Sequence, residues 1–145
     1  MFALLTVLLI APRPDSTALM PPGPFMQTIR IIHQPEEIMF MNRPYNLELF
    51  VNFPSDSVES VSLFIRTDNM TRYQEFLLPG VRGRYTFRYD PVKMPGKSIR
   101  YFFVVRLKPF ALFATPLNED GSIRPVERTF VDPVAYYKWK RAQNR

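Results

Sequence analysis

Gly96–Leu107 (GKSIRYFFVVRL) is the stretch from which the rest of the chain is read. Pro95-Gly96 introduces it and Pro109 stops the chain just beyond it, so it is a β-rich run between two breakers. Side chains alternate along a strand, which puts Ile99, Tyr101, Phe103, Val105 and Leu107 on one face. The other face carries Arg100, Phe102, Val104 and Arg106, half apolar rather than simply wet. A strand apolar on one side and mixed on the other fits the middle of a sandwich sheet, not its edge.

Working outward, the neighbouring segments have the same character. Tyr45–Phe53 (YNLELFVNF) sets Leu47, Leu49, Val51 and Phe53 against Asn46, Glu48 and Asn52. Val58–Thr67 (VESVSLFIRT) sets Val61, Leu63 and Ile65 inward, with Ser60, Ser62, Phe64 and Arg66 outward. Tyr73–Leu78 and Arg84–Tyr89 are shorter strands, Thr28–His33 reads as an edge strand, and Phe110–Thr115 completes a hairpin across Lys108-Pro109. Ile38 to Met41 are placed to cap one end of the core. About seven strands with turn signals every 8–12 residues predict an all-β, immunoglobulin-like antiparallel β-sandwich over residues 28–131.

The stretches VESVSLFIRTDN (58–69), GRYTFRYDP (83–91) and PGKSIRYFFVV (95–105) carry a resemblance. Together they resemble the immunoglobulin-like or fibronectin-III-like modules of bacterial envelope and secreted proteins, over roughly residues 45–116. The chain lacks the cysteine pair and core tryptophan of antibody domains. The resemblance implies binding, spacing or assembly and transfers no catalytic residue.

Composition agrees with a β domain. The chain has 145 residues, enough for one domain, and its 15 prolines against 5 glycines break it too often for long helices. There is no cysteine, which removes disulfides, thiolate metal sites and a cysteine nucleophile together. The net charge of +6 is spread along the strands and concentrates only in the last residues.

The N-terminal run Phe2–Ala11 (FALLTVLLIA) is too short to cross a bilayer as a helix. Ser16-Thr17-Ala18 follows with the small residues a signal peptidase reads, so residues 1–18 are expected to be a signal peptide, although no lysine or arginine precedes the apolar run. The competing reading is a buried strand. Residues 19–27, rich in proline, read as a linker. Export places the mature chain in the periplasm, at the cell surface or outside the cell.

At the other end, residues 132–145 predict a short helix, with Asp132 as N-cap and Pro133 at the first helical position. So short a helix must dock to persist. Tyr136, Tyr137, Trp139, Lys140 and Arg141 make it the richest interaction candidate in the chain. The second candidate surface is the stripe formed by Phe64, Phe102 and Val104 on the outer face of one sheet, to be covered either by this helix or by a partner.

Residues for chemistry are sparse. His33 is the single histidine, without the companions a zinc site or hydrolytic triad needs. The acidic loop around Asp120-Gly121 lacks the ligand spacing of a calcium loop. No Gly-x-Ser-x-Gly elbow and no phosphate-cradling glycine loop is present. The expectation is a non-enzymatic module with no cofactor and no metal, partnered by another envelope or surface protein. A carbohydrate module using Tyr73, Phe64, Tyr136 or Trp139 is the first alternative. A nucleic-acid binder using Arg82, Arg84 and Arg88 is the second, for a chain that is not exported. Asn69-Met70-Thr71 also fits an N-glycosylation acceptor, of consequence only in a eukaryotic secretory host.

Overall fold

The computed structural model describes residues 25–145, and the expected signal peptide and most of the linker lie outside them. Among the described residues nine antiparallel strands form two sheets and one helix follows them: β1 (Ile31–Ile32), β2 (Tyr45–Val51), β3 (Val58–Thr67), β4 (Gln74–Leu77), β5 (Gly80–Val81), β6 (Arg84–Tyr89), β7 (Ser98–Leu107), β8 (Ala111–Thr115), β9 (Val126–Thr129) and α1 (Pro133–Gln143). One sheet has the order β1-β2-β6-β5 and the other β4-β3-β7-β8, with β9 on the same edge of β7 as β8. Strand β8 pairs with Phe103–Leu107 and β9 with Ser98–Tyr101, so the two lie end to end along β7.

The alternation read from the sequence sets the packing. Val61, Leu63 and Ile65 of β3 and Ile99, Tyr101, Phe103 and Val105 of β7 meet Leu47, Leu49 and Val51 of β2 and Tyr89 of β6 in the core between the sheets. Of the Ile38–Met41 segment only Met39 enters the core, while Ile38 and Phe40 are half-buried and Met41 is exposed. The turn from β7 to β8 runs through Lys108-Pro109. Gly96 lies so near Thr67 that a Cβ there would come 2.7 Å from the threonine Cβ and 2.6 Å from the Asp68 carboxylate, which explains a glycine just before β7.

Two strands exceed the sequence expectation. Gly80–Val81 forms a small hairpin with β6 through Arg82 and Gly83, both at positive φ (54° and 79°), the backbone of a tight hairpin turn. Val126–Thr129, which is not among the seven strands read from the sequence, completes the edge of β7.

Between the sheets, at the end of β1, His33 is tied to both layers. Its Nδ1 lies 2.6 Å from the Glu48 carbonyl and its Nε2 2.9 Å from the Tyr101 hydroxyl. A carbonyl can only accept, so Nδ1 carries the proton and Tyr101 donates to Nε2. Burial lowers the imidazole pKa below 6.5; the Glu48 bond raises it and the nearby Arg128 lowers it further. Burial likewise raises the pKa of the Tyr101 phenol, which keeps its proton.

Candidate functional site: the outer sheet face and the C-terminal helix

The outer-face stripe is present, and its cover is intramolecular. Phe64 and Phe102 are directly opposed on β3 and β7 and their rings stack at 5.0 Å, nearly parallel. With Val104 and Ala114 they form a second apolar cluster on the side of the sheet away from the main core. Phe25 drops into it from the N-terminal side and is 6% exposed, while Tyr73, Leu112, Leu117 and Ile123 pack around the margin. Phe102 is 0% and Phe64 3% exposed.

Two aperiodic segments supply this cover. The Phe25 amide donates to the Gly121 carbonyl, and the Met26 amide donates to Leu112 on β8. The end of the expected linker therefore joins the domain. The Asn118–Ser122 turn is closed by an Asn118 amide bond to the Ser122 carbonyl and by Asp120 accepting from Ser122. It holds Leu117 and Ile123, paired by a β-bridge, against the stripe. The helix has no part in this.

Helix α1 begins as the sequence requires. The Asp132 carboxylate accepts from the Val134 amide at 2.9 Å, Pro133 fills the first turn, and Lys140 and Arg141 lie in the last turn, favourable to the helix dipole. Its entry is fixed by the Val131 and Met41 amides, which bond to the carbonyls of Met39 and Val131. Phe40 then meets Tyr136 edge-on at 5.6 Å and Tyr137 in a stacked contact at 5.9 Å.

Beyond that anchor the helix is bare. No residue of α1 is buried; Val134 is 62%, Tyr137 49% and Trp139 57% exposed. Lys140 lies 6.0 Å from the Tyr136 ring centre, and Lys138, Lys140 and Arg141 all face solvent. The helix and the residues after it contain no aspartate or glutamate. The eight residues singled out in the sequence thus separate into two groups. Phe64, Phe102 and Val104 lie inside the chain; Tyr136, Tyr137, Trp139, Lys140 and Arg141 lie together on one exposed element.

The other candidates are also placed. Both nitrogens of His33 are engaged, and its ring stands at the edge of a groove of about 720 Å³ shared with Thr115, Arg124 and Arg128. Tyr73 packs edge-on against Phe102 beneath the Arg66 guanidinium. Arg84 pairs with Glu48, and Arg82 occupies the β5–β6 turn. Among the described residues no three histidine, aspartate or glutamate side chains cluster as metal ligands, and no helix is long and apolar enough to cross a membrane.

No family model matches the chain, and no curated protein matches its sequence. Among solved structures it is similar in shape to part of the endo-beta-1,4-mannanase from Thermotoga petrophila. That similarity has 14% identity and a TM-score of 0.48; it covers 70% of this chain and 19% of the mannanase chain. At that identity no residue role passes from one chain to the other.

Proposed function

We propose that the protein is an exported, non-catalytic immunoglobulin-like module that assembles with another envelope or surface protein through α1. The observation that carries this reading is an ordered helix presenting Tyr137, Trp139 and a run of cations with none of its residues buried. Exposed tryptophan and tyrosine beside basic groups are the composition of protein-contact hot spots. Of the two candidate surfaces, the covered outer stripe leaves α1 as the one still open to a partner.

The strand orders support the immunoglobulin-like assignment. In the constant-type arrangement the sheets are ABED and CFG. The order β1-β2-β6-β5 follows the first, and β3-β7-β8 the second, with β4 added beside β3. The non-catalytic reading is supported by His33, whose nitrogens are both used in holding the sheets together.

Two measurements test the proposal. Intact mass on separated cell fractions should give a mature chain starting near Leu19 outside the cytoplasm; a full-length cytoplasmic species overturns export. A photo-crosslinker at Trp139 should join the chain to one envelope protein, and the Tyr137→Ala variant should weaken that product. If crosslinking is absent while a chain ending at Asp132 retains its envelope association, α1 is not the contact.

A further inference from the structure

Along the outer sheet face, the stacked Phe64–Phe102 pair is followed at the next outward position by two arginines. Arg66 of β3 stands directly opposite Arg100 of β7. Like charges in direct cross-strand opposition repel and destabilise a sheet. Arg100 is answered by Glu127 on β9, whose Oε1 lies 2.9 Å away.

Arg66 has no such answer. The ion pairs among the described residues are Arg84–Glu48 and Arg100–Glu127. The Arg66 guanidinium lies 5.3 Å from the Tyr73 ring centre, and its Nη1 donates to the Met70 carbonyl over 3.5 Å. Its Nε is buried with no partner. A guanidinium offers five N–H donors, and leaving the buried Nε–H without an acceptor is unfavourable. The Thr67 hydroxyl, on the opposite parity of β3, also lacks a partner in a residue that is 2% exposed. Arg66, Thr67, Asp68, Ser98, Arg100 and Glu127 line one pocket of about 250 Å³.

We propose that this pocket binds a carboxylate, held by the Arg66 guanidinium with Arg100 behind it. The planar fork of arginine matches a carboxylate through two parallel hydrogen bonds, here offered by the terminal Nη1 and Nη2 groups, since Nε is buried out of a ligand's reach. The charge of the pocket selects a monoanion. Glu127 is engaged by Arg100 and Asp68 by the Lys97 and Ser98 amides, so neither pairs with Arg66, yet a phosphate chain or nucleic-acid backbone meets both carboxylates on entry. A single carboxylate gives Arg66 the direct ion pair it lacks and relieves the Arg66–Arg100 repulsion. Asp68 is held in place by the Lys97 and Ser98 amides, which donate to its Oδ1 at 2.7 and 3.2 Å. The volume suits a small organic acid or the end of an aspartate or glutamate side chain. This site is formed by β3, β7 and β9 and is independent of α1.

The test is a titration of the full, ¹⁵N-labelled chain followed at the arginine Nε–H resonances, at constant ionic strength. Sodium acetate and a blocked Gly-Glu-Gly tripeptide are the carboxylate probes; chloride and inorganic phosphate are the controls. The expected result is a saturable shift of the Arg66 Nε–H signal with a carboxylate, absent with chloride, weaker with phosphate and lost in Arg66→Gln. Glu127→Gln, which frees Arg100, should tighten carboxylate binding several-fold. A tripeptide binding about tenfold or more tighter than acetate identifies a protein side chain as the source; equal or weaker binding identifies a free small acid. No saturable shift in the unmodified chain up to about 0.1 M carboxylate, or an equal response to chloride or phosphate, overturns the proposal. Because the unmodified chain gives the primary result, poor folding of Arg66→Gln does not remove the test.

Discussion

Strand β7 and helix α1 use similar residues in opposite ways. The strand carries Tyr101, Phe102, Phe103 and two arginines; the helix carries Tyr136, Tyr137, Trp139 and a run of cations. β7 is paired along both edges, by β3 on one side and by β8 and β9 on the other, and is packed on both faces. α1 meets the sandwich through Phe40 and buries nothing. Aromatic content therefore does not tell a core from a contact surface; the layers stacked on either side of the element decide it.

The comparison is broken most severely by emptying the outer face of β7. Phe102→Ala removes a fully buried ring stacked on Phe64 and should cost about 4 kcal/mol in urea or guanidinium unfolding. A loss below about 1 kcal/mol would mean that this face is not a second core. Phe25→Ala tests the cover itself. About 3 kcal/mol should be lost, because the ring is buried but lies at the cluster margin.

Acid should have a smaller effect through His33. The folded state keeps this imidazole neutral, whereas the unfolded chain takes up a proton as pH falls through 6.5. The unfolded state then binds more protons, so stability is full above that value and declines below it until the lowered folded pKa is reached. Unfolding midpoints measured at about pH 7.5 and 5 should differ in the unmodified chain and converge in His33→Gln. Asp68 and Asp120, whose pKa values are lowered by hydrogen bonds from Ser98 and Lys97 and from Ser122 respectively, act in a separate window. Their contribution is present above 3.8 and is lost as pH falls toward their folded values. The smallest effect belongs to Trp139→Ala, which should leave the unfolding free energy within about 0.5 kcal/mol while weakening association with a partner. A large loss of stability there would make α1 part of the fold.

What was legible in the sequence was local. Alternation in Val58–Thr67 and in Ser98–Leu107 marked both strands and put Phe64, Phe102 and Val104 on one outer face. Asp132-Pro133 marked the helix start. The cover over the stripe was not legible, because Phe25, Leu117 and Ile123 lie in segments with no period, where proline and turn residues dominate. Nor was the small strand Gly80–Val81, whose turn uses Arg82 at positive φ instead of the asparagine or aspartate that signals such hairpins. Arg66 opposite Arg100 and His33 beside Tyr101 depend on pairings between distant segments, which alternation within one strand cannot reveal.

The register of β3 on β7 also has a consequence during synthesis. Thr67 pairs with Ile99 and Val58 with Leu107, so the β7-facing edge of β3 cannot be fully paired until residue 107 has been made. At about 5–20 residues per second, the interval between residues 67 and 107 lasts roughly 2–8 s. Throughout it the uncharged, proline-free run Val61–Ile65 (VSLFI) is available to pair with another chain. Variants that delay the closing of β7 over β3 should therefore first appear as lost soluble yield, before any fall in the melting temperature of the molecules that do fold.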